Sequence, residues 1–269
     1  ISLDGKGYFY VNPLSDRGGH RRQRWFGCAC CPPNIIRLIG ALPGEIYSTS
    51  QGGIWVHLHA SNTAEISLDR NRIRLTQRTR YPWDGEVEIE VEPDDEMEFS
   101  LMLRIPGWSD GADISVNGEK VASDVQPGRY LEIRRSWGKG DRVELTIPMK
   151  IQMLTAHPRV ESSWNRIALK RGPIIFCLEH EDNPGFDVWC AGIRVNSEPI
   201  AEFRPDLLGG VMTVKCDGVA SEMRIWEGKL YLPVKSVSET ERPVRITAIP
   251  YYAWANRDPG PMTVWMNRT

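Results

Sequence analysis

Glu86-Val87-Glu88-Ile89-Glu90-Val91-Glu92 alternates glutamate with β-branched aliphatics without a break. A period of two places one class of side chain on each face of a strand, so this segment predicts a strand with its aliphatics on a core and its glutamates in water. The same reading extends in both directions. Ile54-Trp55-Val56-His57-Leu58-His59, Glu98 to Ile105, Tyr130 to Ile133 and Arg142 to Ile147 repeat the pattern. Asn117-Gly118, set between Ile114-Ser115-Val116 and Glu119-Lys120-Val121, is the dipeptide of a two-residue hairpin. Beyond Pro148 further strands are expected at Arg166–Lys170, Ile174–Leu178, Val211–Val214 and Val244–Ile249, with a loop-rich stretch over 180–209 and a last strand at Thr263–Met266 that returns to the first sandwich. Short strands with frequent turns predict a mainly β chain of two antiparallel β-sandwich domains.

Residues 1–45 differ: they are rich in Gly, Arg and Cys, and their one helical patch, Asn34–Gly40, is entered through Pro32-Pro33. Proline is tolerated in the first turn of a helix; Asn34 offers an N-cap and Gly40 a C-cap. The expected organisation is therefore 1–45, then 46–150 joined by 258–269, then 151–257.

The chain has 269 residues, 41% hydrophobic and 25% charged, with a formal net charge of -2 and a mean hydropathy of -0.37. This charge makes no case for nucleic acid or an anionic membrane, and no apolar run is long enough to span a bilayer. An opening of Ile1-Ser2-Leu3-Asp4-Gly5 carries no targeting signal and reads as an entry into a larger protein. Cys177, Cys190 and Cys216 are widely spaced in strand-like sequence, as buried free thiols would be, and that thiol usage favours a cytoplasmic setting. The ten tryptophans fit sugar stacking and core packing equally well.

The chemistry concentrates in Cys28-Ala29-Cys30-Cys31-Pro32-Pro33-Asn34, which holds three of the six cysteines. Neighbouring cysteines rarely satisfy disulfide geometry. Three readings stay open on spacing alone: a structural zinc knuckle, although the paired Cys-x2-Cys spacing is missing; a nucleophilic thiolate whose pKa a metal lowers; and a core turn of inert thiols. His57 and His59, on one face of a predicted strand, fit exposed or hydrogen-bonded histidines better than ligands. His20, in Gly18-Gly19-His20-Arg21-Arg22, fits a solvated loop, with a place at an active-site rim as the alternative. Glu179, Glu181 and Asp182 resemble an acid/base group, but Asn183-Pro184-Gly185 beside them favours a solvated turn.

Four blocks in order, Gly27 to Asn34, Tyr81-Pro82-Trp83, Arg104-Ile105-Pro106-Gly107-Trp108, and Ile249 to Arg257, resemble glycoside hydrolase family 127, the β-L-arabinofuranosidase family. The resemblance implies a zinc-dependent retaining exo-glycosidase in which an (α/α)6 barrel precedes the β-sandwiches, so that 1–45 would be the last piece of that barrel. It implies that Cys30 is the nucleophile and a zinc ligand and Cys31 a second ligand; Cys28 and His20 are candidates for supporting positions by their nearness in sequence and not by the resemblance. A zinc-held thiolate would attack the sugar and a carboxylic acid would protonate the leaving group; water would then release the thioglycoside with retention. The family's Glu-x-Cys ligand element and its acid/base glutamate have no counterpart in this chain and are expected upstream of Ile1. One zinc ion and an arabinose-bearing glycan or glycopeptide substrate are implied, with an oligomer left open. The isolated chain is expected to be inactive. The rival readings are a non-catalytic carbohydrate-binding or interdomain β-sandwich module and a different activity on the same scaffold.

Overall fold

The computed structural model describes residues 1–28, 30–121 and 125–269. The chain is mainly β and divides into two compact units, residues 34–150 and residues 1–33 with 151–269.

Within 34–150, two sheets enclose one core. The larger has six strands in the order Asn62–Leu68, Asn71–Thr79, Glu86–Pro93, Asp141–Thr146, Asp113–Val116, Glu119–Lys120. The smaller has four, Tyr130–Trp137, Met97–Arg104, Gly53–Val56 and Tyr47–Ser50. Alternation works as expected: Val87, Ile89 and Val91 are buried and meet Phe99, Leu101, Leu103 and Trp137 in one apolar cluster. The opposite face is less wet than the alternation alone suggests. Arg78 lies across from Glu88 and bonds both Glu88 (2.9 Å) and Glu90 (2.8 Å), pairs that add little stability at such exposure. Asn117 and Gly118 both take positive φ, 52° and 81°, which the tight hairpin between Asp113–Val116 and Glu119–Lys120 requires. One pairing departs from the antiparallel expectation. Gly53–Val56 runs parallel to Met97–Arg104, because the chain between them crosses to the other sheet and back.

Gly85 marks where this sandwich is tightest. Its carbonyl accepts from Ile147 N at 2.9 Å, and a Cβ built there would stand 1.8 Å from the Ile147 carbonyl oxygen. Backbone cannot retreat as a side-chain tip can. Gly85→Ala is therefore expected to lower stability by about 2 kcal/mol or more, read as a reduced urea midpoint at unchanged slope.

The other unit is built on a single ten-stranded sheet that turns back on itself. Ile174–Glu179, Arg242–Pro250, Val211–Ala220, Ala191–Ile193, Met266–Arg268 and Arg166–Arg171 are neighbours in that order. Pairing of Lys170 with Ile175 and of Arg171 with Ile174 then joins the last to the first, which closes a ring. Inside lie Leu169, Phe176, Leu178, Val214, Cys216, Ile246, Ala248 and Met266.

Three expectations are corrected here. The final segment does not return to the first sandwich. Met266–Arg268 lies between Arg166–Arg171 and Ala191–Ile193, parallel to the latter, and Met262–Thr263 pairs with Ile174–Glu179. Burial of Met262, Val264 and Met266 is what holds it there. Second, the loop-rich stretch 180–209 also holds short elements that its sequence did not announce. It contains 3-10 turns at His180–Asp182 and Val188–Cys190 and strands at Ala191–Ile193 and Ile200–Arg204. Third, the helix runs Cys31–Ala41, so Asn34 and Gly40 lie inside it and cap neither end. Asn34 Oδ1 instead accepts from Arg37 at 3.4 Å. The widely spaced thiols are free, with Cys177 and Cys216 buried but Cys190 partly exposed. No helix among the described residues is long and apolar enough to cross a membrane.

Candidate active site

Residues 1–33 are laid onto the ring-forming unit by local bonds rather than by a core of their own. Ser15–Asp16 pairs with Met262–Thr263. Tyr8 and Gln23 bridge each other, which folds 8–23 into a loop. Inside it, Phe9 stacks on both His20 (centroids 4.7 Å apart) and Trp254 (4.9 Å), which lie 6.2 Å from each other, with the Arg22 guanidinium 4.2 Å from the Phe9 ring. Arg22 also donates to the carbonyls of Trp254 (2.6 Å) and Ala255 (2.9 Å). His20 is therefore not a solvated loop residue: its ring is stacked, and Nε2 lies 2.9 Å from the Val11 carbonyl.

This anchoring sets Tyr10 beside the cysteines. The Cys30 sulfur is the centre of the group, 3.6 Å from Cys28 Sγ, 3.4 Å from Cys31 Sγ and 4.0 Å from the Tyr10 hydroxyl. Ala29 lies outside the described residues. Cys31 is the first residue of the helix and Cys30 immediately precedes it, at the end where the helix dipole favours negative charge. Pro32 and Pro33 occupy the first turn, where a missing N–H leaves no helical bond unmade.

The electrostatics separate the thiols. Hydrogen bonding from Cys31, then from Cys28 and Tyr10, holds the Cys30 thiol below the ordinary cysteine value. Its bond with Cys30 raises Cys31, and Tyr10 is raised for the same reason. Burial pushes Cys177 well up and Cys216 to about 11. Cys30 is thus the sulfur poised to ionise first, and it is exposed. Tyr10 is the neighbour that sequence reasoning missed. Its only signal was a place in Tyr8-Phe9-Tyr10, which carries no spacing rule.

As for zinc, soft thiol donors in mutual contact fit that ion. Yet no group of three or more His, Cys, Asp or Glu side chains among the described residues is arranged to hold a metal. Cys30 and Cys31 would supply part of a ligand set.

The other candidates have separate roles. His57 and His59 do not form a paired face, because the strand ends at Val56. His57 bonds Ser48 Oγ (2.7 Å) and Tyr130 OH (2.6 Å), whereas His59 is buried with Nε2 2.9 Å from the Arg104 carbonyl. Burial depresses the pKa of His59 below its ordinary value. The unfolded chain therefore binds a proton that the folded one refuses, and stability falls as pH drops below about 6.5. Unfolding free energies from denaturant titrations between pH 7.5 and pH 5 should decline with a slope from this group of up to about 1.4 kcal/mol per pH unit, which disappears in His59→Gln. Glu179 and Asp182 are not a solvated turn either. Glu179 is 1% exposed; Arg257 bonds its Oε2 at 2.5 Å and both oxygens of Asp182, while Ala255 N donates to Oε1 at 2.9 Å. This cluster fixes the 251–257 turn on which Arg22 and Phe9 rest.

Family models match the chain in three consecutive stretches. That described as the β-L-arabinofuranosidase GH127 catalytic domain matches residues 1–44, the GH127 middle domain matches 53–149, and the glycoside hydrolase family 127 C-terminal domain matches 151–267. The chain belongs to glycoside hydrolase family 127. A curated relative, the non-reducing end β-L-arabinofuranosidase of Bifidobacterium longum subsp. longum, is 37% identical over 293 aligned positions, which take in 100% of this chain and 43% of the relative. Ara127N-Se, a GH127 β-L-arabinofuranosidase from Geobacillus stearothermophilus T6, superposes with a TM-score of 0.90 at 40% identity, covering 100% of this chain and 44% of that one. The GH127 β-arabinofuranosidase BT3674 gives 0.89 at 38% identity, covering 100% and 43%. The chain thus spans less than half the length of these relatives. Its cysteine group falls inside the segment that matches the family's catalytic domain.

Proposed function

We propose that this chain is part of a glycoside hydrolase that removes β-L-arabinofuranosyl residues from arabinose-bearing glycans or glycopeptides, with Cys30 as its nucleophile. The observation that carries the reading is the placement of Cys30 at the start of the helix, in contact with two further thiols and the Tyr10 hydroxyl, inside the segment matching a family 127 catalytic domain.

The chain's own residues account for the nucleophilic half of the reaction. The Cys30 sulfur donates its electron pair to the anomeric carbon, the bond from that carbon to the leaving oxygen breaks, and the oxygen takes a proton from a carboxylic acid. Water then attacks the same carbon, gives its proton to that carboxylate and returns the sulfur as thiolate; two inversions give retention. Tyr10 and Cys28 hold Cys30 and stabilise its charge through the contacts already described. Zinc bound by Cys30 and Cys31 would supply positive charge that keeps the sulfur ionised at neutral pH. The acid/base carboxylate is not among the groups gathered at Cys30, so the isolated chain is expected to be inactive.

The test is to assay the full-length protein with a chromogenic β-L-arabinofuranoside and to follow the anomeric configuration of the first product by NMR. Release of β-L-arabinose is expected. Release of the α anomer would remove the two-step mechanism, and no release would remove the assignment.

A further inference from the structure

The outer face of the four-stranded sheet carries a polar hollow, made entirely from residues of the 34–150 unit. Along Gly53–Val56 the outward positions are Gly53 and Trp55; the partners opposite are Ser100 and Met102, then Arg134 and Glu132 on the next strand. Gly53 has no side chain, and a Cβ there would come within 3.1 Å of the Ser100 carbonyl. No side chain of its own strand therefore stands beside Trp55, and Ser100 and Ser50 close over the glycine, forming the floor of the hollow. The resulting cavity of about 430 Å³ is walled by Trp55, Met102, Glu132, Arg134 and the turn at Gln51-Gly52.

Its walls are fixed before any ligand arrives. Trp55 Nε1 donates to Ser50 Oγ at 2.9 Å, and the ring meets Tyr130 edge-on at 4.9 Å. Ser100 Oγ donates to Glu132 at 2.5 Å, and Arg134 bonds Glu98 at 2.8 Å. A pinned indole beside a carboxylate, a guanidinium and a primary amide offers an apolar plate together with donors and acceptors. The charges decide among ligands. Two carboxylates face one guanidinium that is already paired, so anions are repelled and no unpaired cation attracts them. A polyhydroxyl ring with one C–H face meets every one of these groups.

We propose that this hollow is a non-catalytic subsite for a neutral saccharide, a sugar ring stacked on Trp55 with its hydroxyls bonded by Glu132, Arg134 and Gln51. It binds independently of the cysteines and would hold the glycan to the protein between catalytic events.

Calorimetry on the full chain with neutral arabino-, xylo- and galacto-oligosaccharides, and with polygalacturonate as an anionic control, tests it. Millimolar or tighter binding of at least one neutral series is expected, with none for the anionic polymer. Trp55→Ala should weaken binding about tenfold, in keeping with the loss of one stacked ring. Glu132→Ala, at an exposed position, should weaken it as well and decides the matter if Trp55→Ala does not fold. Cys30→Ser should leave this binding unchanged, so its failure and that of the catalytic reading are distinguishable. No saccharide binding, or binding that survives both substitutions, or binding lost only with Cys30, would overturn the proposal.

Discussion

Cys30→Ser, introduced into the full-length protein, is expected to lower kcat for a chromogenic β-L-arabinofuranoside by about a thousandfold or more, the order seen when a covalent nucleophile is removed. Serine keeps the size and the hydrogen bonds but replaces a sulfur that ionises easily with a hydroxyl that does not. Nothing in the group could take its place. The bond to Cys30 raises the pKa of Cys31, which as a zinc ligand would be committed to the ion, and among the described residues the hydrogen bond of Cys28 goes to the Cys30 sulfur at 3.6 Å. Cys28→Ser should accordingly retain activity to within about tenfold, since it trims one hydrogen bond to the nucleophile. Mass spectrometry of the protein trapped with a slow substrate should find the sugar on the peptide containing Cys30. Wild-type activity in Cys30→Ser would end the thiolate mechanism and leave the family assignment standing.

Arg257→Ala should cost about 3–5 kcal/mol, because it strands two carboxylates that the fold keeps from water. Glu179 and Asp182 are 2% and 10% exposed at their side chains. For a unit of this size the loss corresponds to a fall of about 6–20 °C in Tm. Combining Arg257→Met with Glu179→Gln and Asp182→Asn should recover much of it, since removing the charges together removes the penalty of burying them alone. Circular dichroism melts of both variants read the difference directly. An unchanged Tm in Arg257→Ala would show that the cluster is solvated after all. The consequence reaches the candidate site, because Ala255 hangs from Glu179 while Arg22 and Phe9 rest on the same turn.

Those two sites differ in how far they could be read from residue order. The cysteine block announced itself because its chemistry is contiguous, and the strand at Glu86–Pro93 did because alternation is a local property of the chain. The same holds for the Asn117-Gly118 hairpin. Glu179 and Arg257 are 78 positions apart, so only the folded sheet pairs them, and the acidic run around Glu179 imitates a wet turn. His59 shows a related limit: its alternation with His57 suggested a shared face, but the strand stops at Val56 and the two rings part. The destination of the last strand was equally illegible. Its alternation says that one face is buried, not which sheet buries it, and a parallel neighbour leaves no hairpin turn to betray the partner. Tyr10 reached Cys30 through a stacked phenylalanine and a distant tryptophan, contacts for which no spacing rule exists.

The closed ring has a temporal side. Met266–Arg268 fills the gap between Arg166–Arg171 and Ala191–Ile193 and is the last of the ring's strands to leave the ribosome. Until residue 268 clears the exit tunnel, both of those neighbours present open edges, the condition in which nascent sheets recruit foreign strands. Vectorial synthesis therefore lets 34–150 mature while its neighbour waits, and the completion of one unit is timed by three residues rather than by the slow search of a long chain.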